Sequence, residues 1–381
     1  MIYITTRQKE KEKQISWLDL IEEDESVLVS SLGTTGSAGT ITRVLPEATP
    51  ELLSKINVDY MINVIKKFNE VHEELFTKER NSLYRHWFIP KKSGGGMRRI
   101  DAPCDELQNA LDEIRIILTE KFGVLYHTGA FGYVKGRSTI QTVRKHQVNE
   151  SNWFYHTDAS GFFPNTTLDF TMKMLKMIFP LSEICKVDEG YKALRKMISL
   201  GFLNGGLPQG TKLSPILTNV ICIPIDHKIF NDLAHKRFVY TRYADDIHIS
   251  CVQKFDEDRM TKYIQNVFKN FGAPWELKPE KTHFGNKAGR NYILGVCLNK
   301  DNNITVGYKT KAVFKAQTTN LILDWKAKKY WPHDEVQQYS GLLSYYKMVE
   351  KDYFEQVIER LNNKFHVDLK TILKNYYSLN V

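Results

Sequence analysis

The sequence predicts a mixed α/β fold, and three local patterns support that prediction. Two β-rich runs, 238–243 and 246–250, flank a tight acidic centre and are typical of a hairpin. The apolar run 153–157 ends at an aspartate and predicts a further strand. Amphipathic helical spacing is clearest over 107–122, where apolar residues recur every three or four positions. Together these patterns predict helices combined with antiparallel strands.

In chain order, the remaining elements are helices and one glycine-rich turn. Pro50 suits the first turn of a helix, because proline fixes a helical φ and has no amide hydrogen to leave unpaired. Ser93–Gly96 favours a tight turn between two strands. The run 213–230 is predominantly apolar, which predicts one long helix. The helical patterns cover residues 51–69, 107–122, 167–178, 190–203, 213–230, 259–271, 311–328, 333–348 and 353–365.

The composition is that of a soluble globular protein with a polyanionic partner. Hydrophobic residues make up 42% of the chain and charged residues 25%, as is usual for such proteins. The net charge of +9 favours nucleic acid as a partner, although basic charge alone is a weak signal. The five cysteines form no Cys-x-x-Cys pair, which argues against a zinc site or a disulfide framework. No leader or membrane-spanning run is recognised, so a cytoplasmic protein without a membrane partner is expected.

The acidic centre of the hairpin is the first candidate for a functional site. Aspartate is a poor strand former, so Asp245 and Asp246 weaken the hairpin that contains them, and a broken local rule is where function is expected. Because adjacent strand residues point to opposite faces, we expect Asp245 to be the main ligand and Asp246 to assist. Asp158, at the end of another strand, is expected to complete the site. Carboxylates suit Mg²⁺, and two such ions can stabilise the attacking and leaving oxygens at phosphorus.

The residues around this centre resemble reverse transcriptases. Tyr243-Ala244-Asp245-Asp246 is similar to the family's active-site box. The other similar segments follow the family's order: the fingers box at 89–100, the template-side box at 130–138, the first palm box at 158–163, the nucleotide-pocket box at 206–215, and the last two palm boxes at 277–282 and 293–296. One acidic pair is weak evidence, whereas an ordered series of boxes is specific.

The resemblance implies a right-hand polymerase with fingers, an antiparallel palm sheet and a helical thumb. The expected division is an N-terminal arm at 1–55, fingers and palm at 56–310, and a three-helix thumb at 311–381. The three carboxylates are expected to bind two Mg²⁺ ions, with Mn²⁺ as an alternative. Without the ordered boxes, surface carboxylates at strand ends would be the better explanation.

Several residues are expected to bind the incoming nucleotide. Basic residues on both sides of the glycine turn suit a triphosphate, and the resemblance implies that Lys91 or Lys92 and Arg98 hold its phosphates. Phe163 matches the aromatic gate that excludes a 2′-hydroxyl, which implies a preference for deoxynucleotides. The alternatives are a solvated basic hairpin and an ordinary core aromatic.

Other boxes imply further contacts with the nucleotide and the template. Gln209 and Gly210 precede a helix, and Gly210 lets the backbone approach a ligand closely; the alternative is an ordinary loop. Lys281 resembles a candidate proton donor to pyrophosphate, with a surface lysine as the alternative. Lys135 and Arg137 are expected to contact the template backbone. Lysines and aromatics of the C-terminal helical patterns suit phosphate contacts and base stacking, although a solvated face explains any single lysine better.

The resemblance implies an RNA-directed DNA polymerase that copies an associated RNA into DNA from dNTPs. The chain is most similar to stand-alone bacterial enzymes, the retrons and the related defence-associated reverse transcriptases. That similarity implies a structured non-coding RNA partner and a role in antiphage defence, and it is compatible with a homo-oligomer or a partner effector. Three alternatives stay open: untemplated or protein-primed DNA synthesis, RNA-templated RNA synthesis, and a non-catalytic RNA-binding module.

Overall fold

The structure of the chain is a computed structural model that describes residues 57–91, 96–289 and 292–378. The predicted arm at 1–55 lies outside these residues, as do Lys92 and most of the glycine-rich turn. Within the described ranges, α-helices are combined with strands that pair antiparallel in every sheet. The predicted mixed α/β class is therefore confirmed.

Most of the described helices lie close to the predicted ones, whereas those at 73–77, 139–148 and 181–186 have no predicted counterpart. In chain order the described helices are α1 Val58–Val71, α2 Glu73–Thr77, α3 Asp105–Ile116, α4 Thr139–Val148, α5 Leu168–Leu175, α6 Leu181–Lys186, α7 Asp188–Ser199, α8 Leu213–Ile221, α9 Ile223–Ala234, α10 Glu257–Phe271, α11 Tyr308–Lys326, α12 His333–Val349, α13 Lys351–Phe365 and α14 Leu369–Tyr376. Both ends of α10 are capped. The Asp256 side chain accepts a hydrogen bond from the amide of Arg259 at the start of α10, and Gly272 ends that helix in the left-handed conformation.

The described strands form three separate sheets. They are β1 Tyr84–Pro90, β2 Met97–Pro103, β3 Trp153–Ser160, β4 Val239–Tyr243, β5 Asp246–Cys251, β6 Glu276–Leu277, β7 His283–Asn286, β8 Cys297–Leu298 and β9 Ile304–Thr305. The main sheet has the order β4-β5-β3-β6, with β7 also paired to β3. The hairpins β1-β2 and β8-β9 stand apart from it.

The register of the main sheet brings two distant acidic segments together. Asp158 on β3 lies directly opposite Asp246 on β5, and His156 lies opposite His248. The prediction that β3 ends at Asp158 is wrong, since the strand continues to Ser160. It continues because Ala159 and Ser160 pair with the short strand β6, a partner that local sequence does not reveal.

Two helix predictions need correction. The run predicted as one helix over 213–230 is two helices that meet at Cys222. Pro224 explains the break, because proline has no amide to bond the carbonyl four residues earlier and its ring crowds that carbonyl. The C-terminal part has a fourth helix, α14, after the three predicted ones.

The helices bury their apolar faces in distinct clusters. Leu107, Leu111 and Ile114 of α3 are fully buried in the largest cluster, to which helices and strands of the main sheet both contribute. The C-terminal helices α11–α14 have a cluster of their own around Phe314 and Phe354. Glu350 connects this part to the β8-β9 hairpin, because its carboxylate accepts from the amide of Val306 and the hydroxyl of Thr305 at 2.9 and 2.8 Å.

Candidate active site

The acidic hairpin is built as the sequence predicts, with a two-residue turn at its tip. β4 ends at Tyr243 and β5 begins at Asp246, so Ala244 and Asp245 form the turn. Ala244 has a φ of 56°, a left-handed conformation that costs a non-glycine residue about 1 kcal/mol. Asp245 lies in the turn rather than in the pleated strand, so strand alternation does not separate its side chain from that of Asp246.

The three predicted carboxylates lie close enough to influence one another. Burial raises the pKa of Asp245 to about 6, and the neighbouring carboxylates of Asp158 and Asp246 add to that rise. Asp245 is also tied to β3 through its carbonyl oxygen, which accepts a hydrogen bond from the amide of Ala159 at 3.0 Å. The hairpin tip therefore concentrates negative charge in a site that is partly shielded from water.

Two lysines neutralise part of this charge. Nζ of Lys281 donates to Asp158 Oδ2 at 2.8 Å, and Nζ of Lys278 lies 3.4 Å from Asp158 Oδ1. Burial lowers the pKa of Lys281, but the hydrogen bond and charge of Asp158 outweigh it, so the pKa is raised overall. Lys281 is accordingly a protonated ammonium in the site, which a proton donor needs to be. Sequence reasoning did not single out Lys278, although it lies in the same box.

The donor set fits a divalent cation in its chemistry. Asp158 Oδ1 is buried and accepts no hydrogen bond from the described residues, and carboxylate oxygens are ligands that hard divalent cations prefer. Among residues 57–91, 96–289 and 292–378, however, no three His, Cys, Asp or Glu side chains are already grouped as metal ligands. Binding would therefore require the carboxylates to turn toward a common point and Lys281 to move away from Asp158.

A row of histidines lies beside Asp246. Nε2 of His156 is 3.1 Å from Asp246 Oδ1, and the ring of His156 stacks on His248 at 4.4 Å, with His283 on its other side at 6.1 Å. They share one face because all three occupy paired positions on β5, β3 and β7. The sequence motifs do not single out these histidines. The alternation of His and Asp at 156 and 158 and at 246 and 248 is the signal that could have placed them together.

A cavity of about 420 Å³ adjoins the histidine row. Its walls include the three histidines and Asp246 on the sheet side and Tyr292 to Gly295 on the opposite side. Nε2 of His248 is buried and has no hydrogen-bond partner among the residues that the structure describes. The cavity thus offers aromatic and imidazole side chains immediately beside the acidic centre.

The predicted nucleotide loop packs directly on the β1-β2 hairpin. The amide of Asp101 donates to the carbonyl of Gln209 at 2.7 Å. Gly210 has a φ of +133°, and a Cβ there would lie only 2.6 Å from the Asp101 carbonyl oxygen. Glycine is needed at this position both for its backbone conformation and for the close approach. The sequence predicts that Gly210 lets the backbone approach a ligand. In the structure, the close approach that Gly210 permits is to the backbone of β2.

The basic residues of the β1-β2 hairpin divide between its two faces. Arg98 lies opposite Ile89, whereas Arg99 lies opposite Phe88 and points to the other face. Arg99 donates through Nε to Asp101 at 2.6 Å and is thereby occupied in the hairpin itself. The side chains of Lys91 and Arg98 are exposed, which leaves them accessible to a phosphate group.

Phe163, the last residue of the first palm box, is half-buried and packs against the main apolar cluster. Its ring packs edge-on against buried Phe162, with 5.4 Å between ring centroids. Its carbonyl oxygen accepts a hydrogen bond from the amide of Leu207 at 3.0 Å, just before Gln209. The position suits a gate beside the nucleotide, while the partial burial also suits a core aromatic.

The template-side loop places its two predicted basic residues differently. Lys135 is exposed. Arg137 is half-buried, and Nη1 donates to the carbonyls of His127 and Ala130 within the loop. Burial lowers the pKa of Arg137. Arg137 therefore shapes the loop, and Lys135 is the side chain that is free to contact a phosphate backbone.

Comparison with known proteins identifies relatives of the chain. The family described as reverse transcriptase (RNA-dependent DNA polymerase) matches residues 89–306. Retron Ec73 reverse transcriptase of Escherichia coli is 23% identical over 293 residues, which cover 76% of this chain and 89% of that protein. Retron Mx162 reverse transcriptase of Myxococcus xanthus is 27% identical over 235 residues, which cover 57% of this chain but only 47% of that protein. The similarity to the retron lineage that the sequence motifs predict is thereby confirmed.

Telomerases are among the solved structures to which the chain is similar. A Candida albicans telomerase in complex with a telomeric RNA fragment superposes with a TM-score of 0.44 at 12% identity, covering 78% of this chain and 66% of that one. In the described part of the chain, no helix has the length and apolar character needed to cross a membrane.

Proposed function

The chain belongs to the reverse transcriptase (RNA-dependent DNA polymerase) family, a family of right-hand polymerases, and on that premise we propose that it copies an RNA template into DNA. One observation carries the proposal: the pairing of β3 with β5 makes Asp158 and Asp246 neighbours of each other and of Asp245 in the hairpin turn. A shared acidic site of this kind suits transfer of a nucleotidyl group from a triphosphate. A binding module would gain nothing from burying like charges together.

The reaction proposed for this site is attack of a primer hydroxyl on the α-phosphorus of a dNTP, with pyrophosphate as the leaving group. Reverse transcriptases use divalent metal ions, and two Mg²⁺ ions, when bound, would neutralise charge on the attacking and leaving oxygens. Asp158, Asp245 and Asp246 would hold these ions. Lys281 would turn from Asp158 toward the pyrophosphate and donate a proton to it.

Other residues of the chain would place the nucleotide and the primer. Exposed Lys91 and Arg98 would bind the triphosphate, while Gln209 and Gly210 would line the nucleotide from the loop that packs on β2. Phe163 would contact the sugar and exclude a 2′-hydroxyl. The cavity bounded by the histidine row is large enough for the terminal nucleoside of a primer, beside Asp246.

The division of labour along the chain follows from these placements. We assign fingers and palm to residues 56–310 and the thumb to 311–381, with an arm at 1–55. The separate apolar cluster of α11–α14 supports a thumb that folds around its own core. Its exposed lysines would contact the phosphates of the template and primer.

The partner and the setting are inferred from relatives. Retron reverse transcriptases are among them, and we propose a structured non-coding RNA as the template, dNTPs as substrates, a DNA product, and a bacterial cytoplasmic role in antiphage defence. Untemplated or protein-primed DNA synthesis is the second candidate. Half-exposed Tyr133, whose ring centroid lies 6.0 Å from that of Tyr243 in the active-site box, offers a hydroxyl near the acidic centre.

The test starts from protein purified without nuclease treatment. Bound nucleic acid is extracted and sequenced, and dNTP incorporation is measured beside Asp245→Asn and the surface control Asp301→Asn. A discrete bound RNA, with complementary DNA that only Asp245→Asn abolishes, is the expected result. DNA made without any RNA, or joined covalently to the protein, would favour the second candidate. No incorporation with any primer would refute polymerase activity.

A further inference from the structure

A buried ion pair lies directly beneath the catalytic turn, and no step of the proposed reaction uses it. Arg242 on β4 and Asp226 on α9 have side chains that are 3% and 0% exposed. Nε and Nη2 of Arg242 donate to the two oxygens of Asp226 at 2.8 and 2.7 Å, and the hydroxyl of Tyr240 donates to the same carboxylate at 2.7 Å. A buried ion pair is weak evidence for stability, since apolar residues of similar volume often serve equally well.

Arg242 also holds the turn that carries Asp245. Its Nη1 donates to the carbonyl of Ala244 at 3.1 Å. Ala244 is the residue with a left-handed φ, which a non-glycine residue keeps only when its surroundings fix it. On the other side of the turn, the carbonyl of Asp245 is held by the amide of Ala159. Both carbonyls of the two-residue turn are therefore fixed, one by β3 and one by Arg242.

The backbone of Arg242 joins the same strand to the template-side loop. Its amide donates to the carbonyl of Gly129 at 2.8 Å, and its carbonyl accepts from the amide of Phe131 at 2.8 Å. This is the bonding of a short parallel bridge to Ala130. The loop that continues to Lys135 is thus an added edge of the catalytic hairpin.

Asn219 on α8 connects the side chain of Arg242 to the template-side loop. It accepts from Nη1 of Arg242 at 3.2 Å and donates through Nδ2 to the carbonyl of Gly132 at 2.7 Å. Gly132 lies against the turn so closely that a Cβ there would be 2.7 Å from the amide nitrogen of Ala244. The loop and the turn therefore touch through backbone atoms. The guanidinium of Arg242 supports the turn directly and the loop through Asn219.

We propose that Arg242 and Asp226 are positioning residues that hold the catalytic turn in register with the template-side loop, so that template binding and metal binding at Asp245 strengthen each other. The inference rests on the proposed function, because it assumes that the loop meets a template and that Asp245 meets a metal ion. A coupling between two sites is reciprocal. RNA should therefore tighten metal binding by the same factor as metal tightens RNA binding.

Two variants separate positioning from simple support of the fold. Arg242→Lys keeps a cation beside Asp226, but a single ammonium cannot reach Asp226, Ala244 and Asn219 together. Arg242→Met combined with Asp226→Leu removes both charges at similar volume and leaves no buried charge unpaired. The matched control is Lys186→Met with Glu183→Leu, which removes the ion pair on the distant helix α6.

The readouts are thermal unfolding, steady-state kinetics on an RNA homopolymer with a DNA primer, and Mn²⁺ binding by calorimetry with and without that RNA. The Mn²⁺ site is defined as the one lost in Asp245→Asn. In the wild type and the control, RNA is expected to tighten Mn²⁺ binding fivefold or more. In the two folded test variants this effect is expected to disappear, and kcat is expected to fall at least tenfold while KM for dNTP stays within threefold.

Three results would overturn the inference. A folded variant that keeps kcat within twofold of the wild type, or that keeps the RNA effect on Mn²⁺ binding, shows that the pair does not position the turn. If the double variant does not fold, Arg242→Lys decides by the same criteria, and failure of Arg242→Lys to fold shows a purely structural role. A wild type without polymerase activity that still couples RNA to Mn²⁺ would refute the proposed function alone.

Discussion

At the scale of single residues, Asp245 shows that the acidic centre is arranged for binding at the expense of stability. Its carboxyl is partly buried beside two other carboxylates, and burial together with their charge raises its pKa to about 6. The unfolded chain would ionise this group near its ordinary value of about 4. Between about pH 4 and pH 6, the folded, metal-free protein consequently holds a proton at Asp245 that the unfolded chain releases.

This difference predicts a pH-dependent gain in stability for Asp245→Asn. The native state binds more protons between pH 4 and pH 6, so the contribution of Asp245 to stability falls as pH rises through that window. Above pH 6 the metal-free variant should be more stable than the wild type by about 1–2 kcal/mol, a figure reduced for partial solvent screening. Urea unfolding in EDTA at pH 4 and pH 7.5 measures this.

The control for that measurement is Asp301→Asn, an exposed carboxylate in the β8-β9 turn. It should leave the pH dependence as in the wild type. A variant Asp245→Asn that is less stable than the wild type at pH 7.5 would contradict the account of a strained acidic centre.

Phe163 carries a second prediction at the residue scale. Phe163→Val should open space beside the sugar and raise the efficiency of ribonucleotide relative to deoxynucleotide incorporation by about tenfold or more, because a steric barrier to the 2′-hydroxyl is removed. Single-nucleotide incorporation with dNTP and NTP measures the ratio. Phe162→Leu is the matched control, since Phe162 is buried in the core. It should lower stability and leave the ratio unchanged, and an unchanged ratio in Phe163→Val would identify Phe163 as a core aromatic.

At the scale of elements, the nucleotide-pocket loop depends on its contact with β2. The loop is attached through the bond from Asp101 to Gln209, and Gly210 permits the two backbones to approach. The β1-β2 hairpin, which carries Arg98, is thereby held to the start of α8. On the proposed function, this backbone contact helps to set the distance between Arg98 on the hairpin and Gln209 on the loop.

Gly210→Ala should separate the two elements. The new Cβ would meet the Asp101 carbonyl at 2.6 Å in a backbone conformation that favours glycine, at a cost of about 1–3 kcal/mol. We expect KM for dNTP to rise about tenfold, with a smaller change in kcat. Gly341→Ala on α12 is the control, because a Cβ there meets nothing within 4 Å. An unchanged KM in a folded Gly210→Ala variant would show that the contact does not shape the nucleotide site.

At the scale of the whole molecule, buried neutral histidines set the response to acid. Burial lowers the pKa of His146 to about 3 and that of His127 to about 4, and it lowers the pKa of His248 well below its usual range. His146 is held by the hydroxyls of Ser250 and Thr241, at 2.6 and 2.9 Å. Unfolding exposes all three groups to protonation.

The protein should therefore lose stability as pH falls below about 6.5. Over this range the unfolded chain binds more protons than the folded one, and each histidine contributes up to about 1.4 kcal/mol per pH unit. His146→Gln should reduce the slope of unfolding free energy between pH 6.5 and pH 5, measured by urea unfolding. The exposed control His235→Gln should keep the slope. A slope in His146→Gln equal to that of the wild type would contradict the neutral, buried state of His146.

Much of the architecture and of the acidic centre follows from local sequence. Alternating β-rich runs around Asp245 and Asp246 determine a hairpin, because strand residues alternate with a period of two and a short polar turn closes it. Helical spacing likewise determines most helices. The same alternation predicts that Arg98 and Arg99 point to opposite faces of their hairpin. The missing amide of Pro224 likewise predicts a break in the helical run before it.

Only the tertiary structure decided which of these segments meet. Asp158 and Lys281 are 123 residues apart, and Arg242 reaches Asp226 on another helix. Such contacts depend on how the elements pack, and the local periodicity of apolar residues in the sequence does not predict them. The sequence by itself therefore determined the residue types and the elements that carry them. Packing decided which residues share a site, because charges are buried and backbones approach each other only once distant elements are in contact.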